Sequence, residues 1–331
     1  MTTAIAPASG AGSTRQLEIG RRIQQQGALV ALVLLVVFAA VRYDNFLGQN
    51  ITDMLTSDVK FGLIALGMTL VIMTGGIDLS VGSVVLLGAV VAAQVGSSGQ
   101  PLAFLAAIAA GTVIGLINAV LITKVNLQPF VATLATLLFT RGLALSLAGG
   151  APVATSGGSG FRDAEVFGVP VSVLLMVALF LIGAGVVRYT GFGRYVLAVG
   201  GNEDASRLMG LPVDRTKALV YVISGVLAGL AGAVYAGQNA SVATGTGQGY
   251  ELVAIAAVVV GGTLLTGGVG SVLSSLVGVL LLQLILNLII FENGLGRVAI
   301  GAEWAEVVQG LFLLLVVLLQ VALAGRRKAS G

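Results

Sequence analysis

The sequence predicts an all-α polytopic membrane protein with about ten transmembrane helices and both termini in the cytoplasm. Hydrophobic residues make up 57% of the 331 residues and charged residues only 9%, whereas roughly a quarter of a soluble domain is charged. Ten mostly apolar stretches alternate with short polar breaks, and the basic residues favour alternate breaks. Lipid forces every backbone amide to pair within its own segment, so helices are the expected spanning elements.

The apolar stretches define the spans in order. About 20 helical residues cross a bilayer core about 30 Å thick. The predicted spans are 24–42, 60–75, 79–95, 101–122, 129–148, 170–188, 218–236, 251–266, 271–290 and 304–324. They form one predicted membrane domain, 24–324, with tails at 1–23 and 325–331 and a long inner loop at 189–217.

The basic residues set the predicted orientation. With ten spans, twelve of the seventeen Lys and Arg residues fall on the segments of one side, four fall on the other, and Arg141 lies within a span. Cytoplasmic segments carry the excess of Lys and Arg. This asymmetry predicts that both termini and the 189–217 loop face the cytoplasm.

Composition excludes several kinds of site. The chain has no Cys and no His, which removes thiol catalysis and the commonest metal ligands and general base. No Lys follows a Gly, so the phosphate-binding pattern G-x-x-x-x-G-K-[ST] is absent. We therefore predict no catalytic residue, no metal site and no cofactor bound by this chain. No basic run with interleaved aromatic residues suggests nucleic-acid binding either.

The long loop contains signals for a short helix. Asn202 is a good N-cap, Gly210 suits a left-handed C-terminal position, and Pro212 prevents continuation. Apolar side chains near a membrane surface with no core of their own suggest docking into a partner's groove, although a helix lying on lipid headgroups is the alternative. The predicted docking residues are Asn202, Glu203, Asp204, Ala205, Ser206, Arg207, Leu208, Met209, Gly210 and Leu211.

Two glycine-rich breaks interrupt the spans. The sequence GGIDLS follows the second span, and GGTLLTGGVG separates the eighth and ninth. Broken helices at such positions must be buried in protein or line a cavity. The candidate gate or helix-break residues are Gly75, Gly76, Asp78, Gly261, Gly262, Gly267 and Gly268. For the second break, close packing of helices through small residues is the alternative.

The role of Asp78 stays open between two interpretations. As a helix cap, a role that Ser80 could also fill, it would accept hydrogen bonds from the first amides of the next helix. As a switch, it would pair with Lys124 or Arg207 and change partner between the inward and outward states.

Four motifs carry a family resemblance. They are GMTLVIMTGGIDLSVGSV at 67–84, LQPFVATLATLLFTRGLAL at 127–145, GGNEDASRLMGLPVDRTK at 200–217 and GYELVAIAAVVVGGTLLTGGVGSV at 249–272. In this order the chain resembles the permease subunits of ribose- and galactofuranose-type monosaccharide importers driven by ATP-binding cassettes (ABC importers), over about 60–325. The resemblance implies monosaccharide import through the bacterial cytoplasmic (inner) membrane.

The resemblance also implies partners. Two cytoplasmic ATP-binding subunits, or a fused double ATPase, would bind ATP and Mg and take up the 202–211 helix. A second permease copy or a related permease would complete the path, and a periplasmic or lipid-anchored sugar-binding protein would deliver the sugar. Membrane lipid surrounds the assembly, and the particular sugar stays open.

A sugar path requires neutral hydrogen-bonding groups without a deep well. The candidate path residues are Asn118, Gln283 and Asn287, each of which is alternatively a hydrogen bond between helices. Two other classes compete with the importer. An ion-driven carrier usually keeps ionisable or ion-coordinating residues at mid-membrane, and a membrane enzyme needs catalytic groups that the spans lack.

Overall fold

Helices dominate the part of the chain that the structure describes. The computed structural model describes residues 11–43, 46–155 and 159–294, with single positions between 304 and 318. The helices are α1 (Ala11–Arg42), α2 (Ile51–Met73), α3 (Val81–Val95), α4 (Gln100–Thr123), α5 (Pro129–Leu147), α6 (Ser159–Arg162), α7 (Val171–Tyr189), α8 (Gly191–Gly201), α9 (Glu203–Leu208), α10 (Val213–Gln238), α11 (Tyr250–Val260) and α12 (Val272–Gly294). A π-helical turn, Phe46–Asn50, leads into α2, and a 3₁₀ turn, Gly96–Ser98, follows α3.

Four two-residue strands form two small antiparallel pairs. Strand β1 (Val153–Ala154) pairs with β4 (Ser241–Val242), so that Val153 lies opposite Val242. Strands β2 (Glu165–Val166) and β3 (Val169–Pro170) form a hairpin directly before α7. These pairs connect helix ends and leave the fold all-α.

Seven helices in the described ranges are long and apolar enough to cross a membrane. They are Phe46–Met73, Val81–Ser98, Gln100–Thr123, Pro129–Leu147, Val171–Tyr189, Val213–Gln238 and Val272–Asn293. The apolar parts Gly27–Arg42 and Tyr250–Val260 are shorter, and the predicted span 304–324 falls almost wholly outside the described residues. The chain is a multi-pass α-helical membrane protein, and the count of ten stays a prediction.

Three helices differ clearly from the predicted spans. Helix α1 begins at Ala11 rather than 24, within the predicted N-terminal tail. Helix α2 begins at Ile51 rather than 60, because a polar first half packs as one helix with the apolar second half. Helix α11 has 11 residues and ends at Val260 instead of continuing to 266. At 1.5 Å per residue it is about 16 Å long, too short to cross the bilayer core alone.

Helices α2, α3, α4 and α10 form the centre of the bundle, and glycines let α4 and α10 touch. A Cβ added to Gly111 would lie 2.2 Å from the carbonyl oxygen of Gly225, and one added to Gly225 would lie 2.4 Å from that of Gly111. A Cβ on Gly229 would lie 2.4 Å from the carbonyl oxygen of Ala107. The two backbones are therefore in direct contact, as small residues permit between membrane helices.

Candidate functional site

The short helix α9 lies beside the start of α10, and both of its ends follow the signals in the sequence. The Asn202 Oδ1 atom accepts a hydrogen bond of 2.9 Å from the Ala205 amide. Gly210 has a φ of +75°, and the Leu211 amide donates to the Ser206 carbonyl at 3.0 Å. A capped start and a left-handed glycine stop make α9 a separate element.

Two large apolar side chains are exposed at the end of α9, one on its last residue and one directly after it. Leu208 is 89% exposed and Met209 is 68% exposed, whereas Ser206 is buried. Each side chain that leaves water on docking contributes about 1.5–3 kcal/mol. This surface is suited to docking into an apolar groove.

Ion pairs hold α9 against the first turns of α10. Arg207 pairs with Glu203 at 3.1 Å and with Asp214 at 2.6 Å. Lys217 pairs with Glu203 at 3.0 Å. Partial burial alone would raise the pKa of Glu203, but the hydrogen bonds and charges of Lys217 and Arg207 more than offset it and hold that pKa below its usual range. A network of four charges is a better connector than one exposed pair.

Helix α8, which the sequence analysis missed, joins α9 to the bundle. Thr190 precedes it in an extended conformation, and its side-chain oxygen accepts from the Gly193 amide at 3.4 Å. Val196 and Val199 are buried. A threonine cap followed by apolar residues three positions apart was the available signal.

The two predicted breaks meet α8 at a glycine junction, which consists of Gly75, Gly200, Gly267 and Gly268. A Cβ on Gly200 would lie 1.8 Å from the Met73 carbonyl oxygen and 2.5 Å from the Gly268 amide nitrogen. A Cβ on Gly267 would lie 2.7 Å from the Gly75 nitrogen. Gly75, Gly267 and Gly268 have φ values of +79°, +82° and +73°, which favour glycine.

The other candidate break residues contact neighbouring helices. A Cβ on Gly76 would lie 2.4 Å from the Tyr221 hydroxyl, and one on Gly261 would lie 2.4 Å from the Ser274 carbonyl oxygen. Gly262 has a φ of +90°. The segment after α11 therefore turns sharply while packed against α12.

Asp78 is the centre of a buried polar network. Its Oδ1 accepts from the Ser80 amide at 3.0 Å and from the Ser80 hydroxyl at 2.6 Å. Its Oδ2 accepts from the Ser224 hydroxyl at 2.8 Å. Ser224 lies near the middle of α10, so this connection reaches halfway along the bundle.

The network continues into α4 and α5. The Asn118 Nδ2 donates to the Ser80 hydroxyl at 2.9 Å, and the Asn118 Oδ1 accepts from the Thr136 hydroxyl at 2.7 Å. Asp78 accepts from the amide of Ser80, the residue directly before α3, and its capping role stays a prediction. It has no ion pair with Lys124 or Arg207 here, and Arg207 pairs instead with Glu203 and Asp214.

The three candidate path residues do not come together. Asn118 belongs to the Asp78 network. Gln283 and Asn287 lie on α12, where the Asn287 Nδ2 donates to the Gln283 carbonyl at 2.9 Å and approaches Asp58 Oδ2 at 3.5 Å. The buried Gln283 Nε2 has no partner within the described part of the chain.

Two charged residues within helices have roles that the sequence did not reveal: Asp58 was overlooked, and Arg141 was given no partner. Asp58 is 3% exposed on α2, and its position one turn after the buried Met54 was the signal. Arg141 on α5 donates to the Thr244 carbonyl at 3.1 Å and to Gln248 Oε1 at 3.5 Å. It thereby holds the loop before α11.

Known proteins match this chain over nearly its whole length. The family described as branched-chain amino acid transport system / permease component matches residues 50–317. The chain belongs to this permease family. The permease is 38% identical over 324 residues to the ribose import permease protein of Escherichia coli (strain K12). The alignment covers 92% of this chain and 98% of that relative.

Other relatives of the permease carry different sugar names. It is 35% identical over 353 residues to the fructose import permease protein of Bifidobacterium longum, covering 99% of this chain and 100% of the relative. It is 34% identical over 318 residues to the L-arabinose transport system permease protein of Escherichia coli (strain K12), covering 94% of each. No solved structure matches the permease.

Proposed function

We propose that the permease is the membrane-spanning subunit of a bacterial ABC importer and forms the path for a monosaccharide. One observation carries this proposal: relatives named for ribose, fructose and L-arabinose import align with nearly the whole chain. All three sugars are monosaccharides. The absence of Cys, His and a phosphate-binding motif supports a subunit that leaves ATP hydrolysis to others.

The residues at 202–211 couple the permease to a cytoplasmic ATP-binding subunit in this proposal. Support comes from the exposed Leu208 and Met209 and from the ion pairs that hold α9 to α10. ATP and Mg bind the partner subunits. When these close, they push α9, and the ion pairs and the glycine junction pass the displacement into the bundle.

The rest of the importer follows the same proposal. A second permease, identical or related, completes the path, and a periplasmic or lipid-anchored binding protein delivers the sugar. The permease lies in the cytoplasmic (inner) membrane with ten spans in one domain, 24–324, and both termini in the cytoplasm. This orientation is supported by the excess of Lys and Arg on alternate segments.

The gate of the proposed path lies at the two breaks. Support comes from the glycine junction, where both breaks contact the helix that leads to α9. Asn118, Gln283 and Asn287 remain candidates for sugar contact. The Gln283 Nε2, which has no partner among the described residues, is a donor available to a hydroxyl.

Reconstitution tests this function. The permease, its ATP-binding subunit and its sugar-binding protein are placed in proteoliposomes, and uptake of labelled D-ribose, D-fructose and L-arabinose is measured with and without ATP. We expect uptake of at least one sugar that requires ATP and the binding protein. Uptake driven by a proton or sodium gradient without the ATPase would instead establish an ion-driven carrier, a class to which the buried Asp58 would be suited.

A further inference from the structure

A polar cavity opens at the end of the bundle opposite α9. Its volume is about 530 Å³, within the range of about 300–1,000 Å³ typical of small-molecule sites. The first turns of α2 form one wall, the hairpin β2–β3 and the residues just before it form another, and the end of α10 closes the third.

Charges of both signs surround this cavity. Asp53, Asp163 and Glu165 supply carboxylates, and Lys60 and Arg162 supply cations. Within the described ranges, none of these five side chains forms an ion pair. Apart from the one bond that the Lys60 Nζ donates to the Ser57 carbonyl, their hydrogen-bonding atoms are therefore available to a molecule in the cavity.

Neutral polar groups complete the lining and are partly fixed in place. The Gln238 Nε2 donates to the Thr56 carbonyl at 3.0 Å, which leaves the Gln238 side-chain oxygen as an acceptor. The Lys60 Nζ donates to the Ser57 carbonyl and lies 4.8 Å from the centre of the Phe61 ring. Donors and acceptors are thus interleaved around one space.

This arrangement favours a neutral polyhydroxylated ligand. Each sugar hydroxyl both donates and accepts, so it pairs with carboxylates and cations alike, and hydrogen bonds to charged groups are the stronger ones. The carboxylates do not converge on a metal site, since no group of three such ligands exists in the described part of the chain. The open, polar wall is equally unsuited to an apolar ligand.

We propose that this cavity is a weak binding site for a monosaccharide at the outer end of the permease, where the sugar is held before it enters the path. The proposal rests on the function proposed above, which supplies the class of ligand. Weak binding suits the role, because a deep well would slow onward movement.

Sugar binding to the complete permease–ATPase complex tests the proposal. The complex is placed in lipid nanodiscs without the sugar-binding protein, and saturation-transfer NMR is recorded during titration with D-ribose, D-fructose or L-arabinose. We expect a millimolar, saturable signal for at least one sugar. The double variant Asp53→Asn, Glu165→Gln replaces two charged acceptors by neutral amides and is expected to weaken binding about tenfold.

Glu292→Gln is the matched control. Glu292 lies at the same end of the bundle, but it is paired with Arg42 at 3.6 Å and does not line the cavity. Its substitution is expected to leave the sugar signal unchanged.

Three results would overturn the proposal. They are no saturable signal in the unmodified complex, an unchanged sugar signal in the double variant, or a double variant that binds sugar normally but no longer binds the sugar-binding protein. The last result would make the cavity a contact for that protein. Failure of the proposed function is distinct from these, since it appears as absence of ATP-driven uptake by the unmodified complex with its binding protein present.

Discussion

The amide of Gly268 donates a hydrogen bond of 3.0 Å to the carbonyl oxygen of Met73. Met73 is the last residue of α2, and Gly268 lies between α11 and α12. Two breaks far apart in sequence are therefore joined, and α8 lies against both of them through Gly200. This contact gives α9 a short physical connection to the centre of the bundle.

Substitution of Gly200 is expected to disrupt this connection. In Gly200→Ala the new methyl group would meet the Met73 carbonyl at 1.8 Å, so the backbones must separate. Overpacking of this kind costs about 1–3 kcal/mol. We expect the purified complex to melt a few to about ten degrees lower and ATP-driven uptake to fall.

Gly201→Ala is the control for that experiment, because nothing lies within 4 Å of a Cβ at Gly201. It is expected to resemble the unmodified protein. Equal effects of the two substitutions would show that the close approach at Gly200 is unimportant.

Charges on the exposed face of α9 are expected to uncouple transport. Leu208→Asp with Met209→Asp would place two carboxylates in an apolar groove, where an unpaired buried charge is strongly unfavourable. We expect the permease to insert normally but to lose copurification with its ATPase and ATP-driven uptake. Val125→Asp, which alters an exposed apolar residue of the loop between α4 and α5, is the control and is expected to keep both. Unchanged uptake in the double variant would exclude α9 as the coupling element.

Two substitutions of Asp78 separate its structural and charge-dependent roles. Asp78→Ala leaves the Ser224 hydroxyl and the Ser80 amide without their acceptor, at about 1–3 kcal/mol for each orphaned donor. Asp78→Asn retains an acceptor oxygen and an uncharged partner for Ser224. We expect thermal inactivation to be faster for Asp78→Ala, whereas Asp78→Asn should fold and transport nearly normally.

The opposite result for Asp78→Asn would be informative. Loss of ATP-driven uptake at an unchanged melting temperature would mean that the negative charge itself is needed, and the switch interpretation of Asp78 would replace the structural one.

Acid is expected to release α9 from α10. Because the pKa of folded Glu203 lies below its ordinary value of 4.5, its ion pairs stabilise the folded segment above about pH 4.5 and are lost as the pH falls through the lower, folded pKa. The chain has no Cys, so a single Met209→Cys carries one nitroxide label. Its EPR spectrum should be constant from about pH 8 to 5 and show greater mobility in stronger acid.

Glu203→Gln provides the reference state for the acid experiment. We expect it to be more mobile than the unmodified protein at neutral pH, because Lys217 loses its partner and Arg207 keeps only its pair with Asp214. A mobility change near neutral pH in the unmodified background would assign the release to another group.

Local signals predicted some elements closely. Asn202, Gly210 and Pro212 delimit α9 because caps and glycine stops act within a few residues. The long apolar spans were also readily located, because a segment in lipid that is not part of a closed barrel must be helical to satisfy its backbone hydrogen bonds. Helix α8 was missed because its glycine-rich sequence, including Gly193 and Gly200, has low helix propensity, and only contact with Val187 and Met73 explains those glycines.

Long-range contacts set the limit of the sequence analysis for the candidate site. Composition identified Asn118, Gln283 and Asn287 as buried polar residues, but it could not show that Asn118 bonds to Ser80 while Asn287 lies near Asp58. Asp58 itself was overlooked, because hydropathy averages hide one buried carboxylate in a polar first half of a helix. Which polar groups meet depends on helix rotation and packing, neither of which hydropathy encodes.

Helix α10 extends from Asp214, paired with Arg207, past Ser224 beside Asp78, to Gln238 at the cavity. Its 26 residues form a rod about 39 Å long. A tilt of about 5° pivoted at one end would displace the other by about 3 Å, on the order of one hydrogen-bond length. A displacement of α9 would therefore also change the shape of the polar cavity at the other end of α10. Release of a sugar from that cavity would then coincide with the movement of α9.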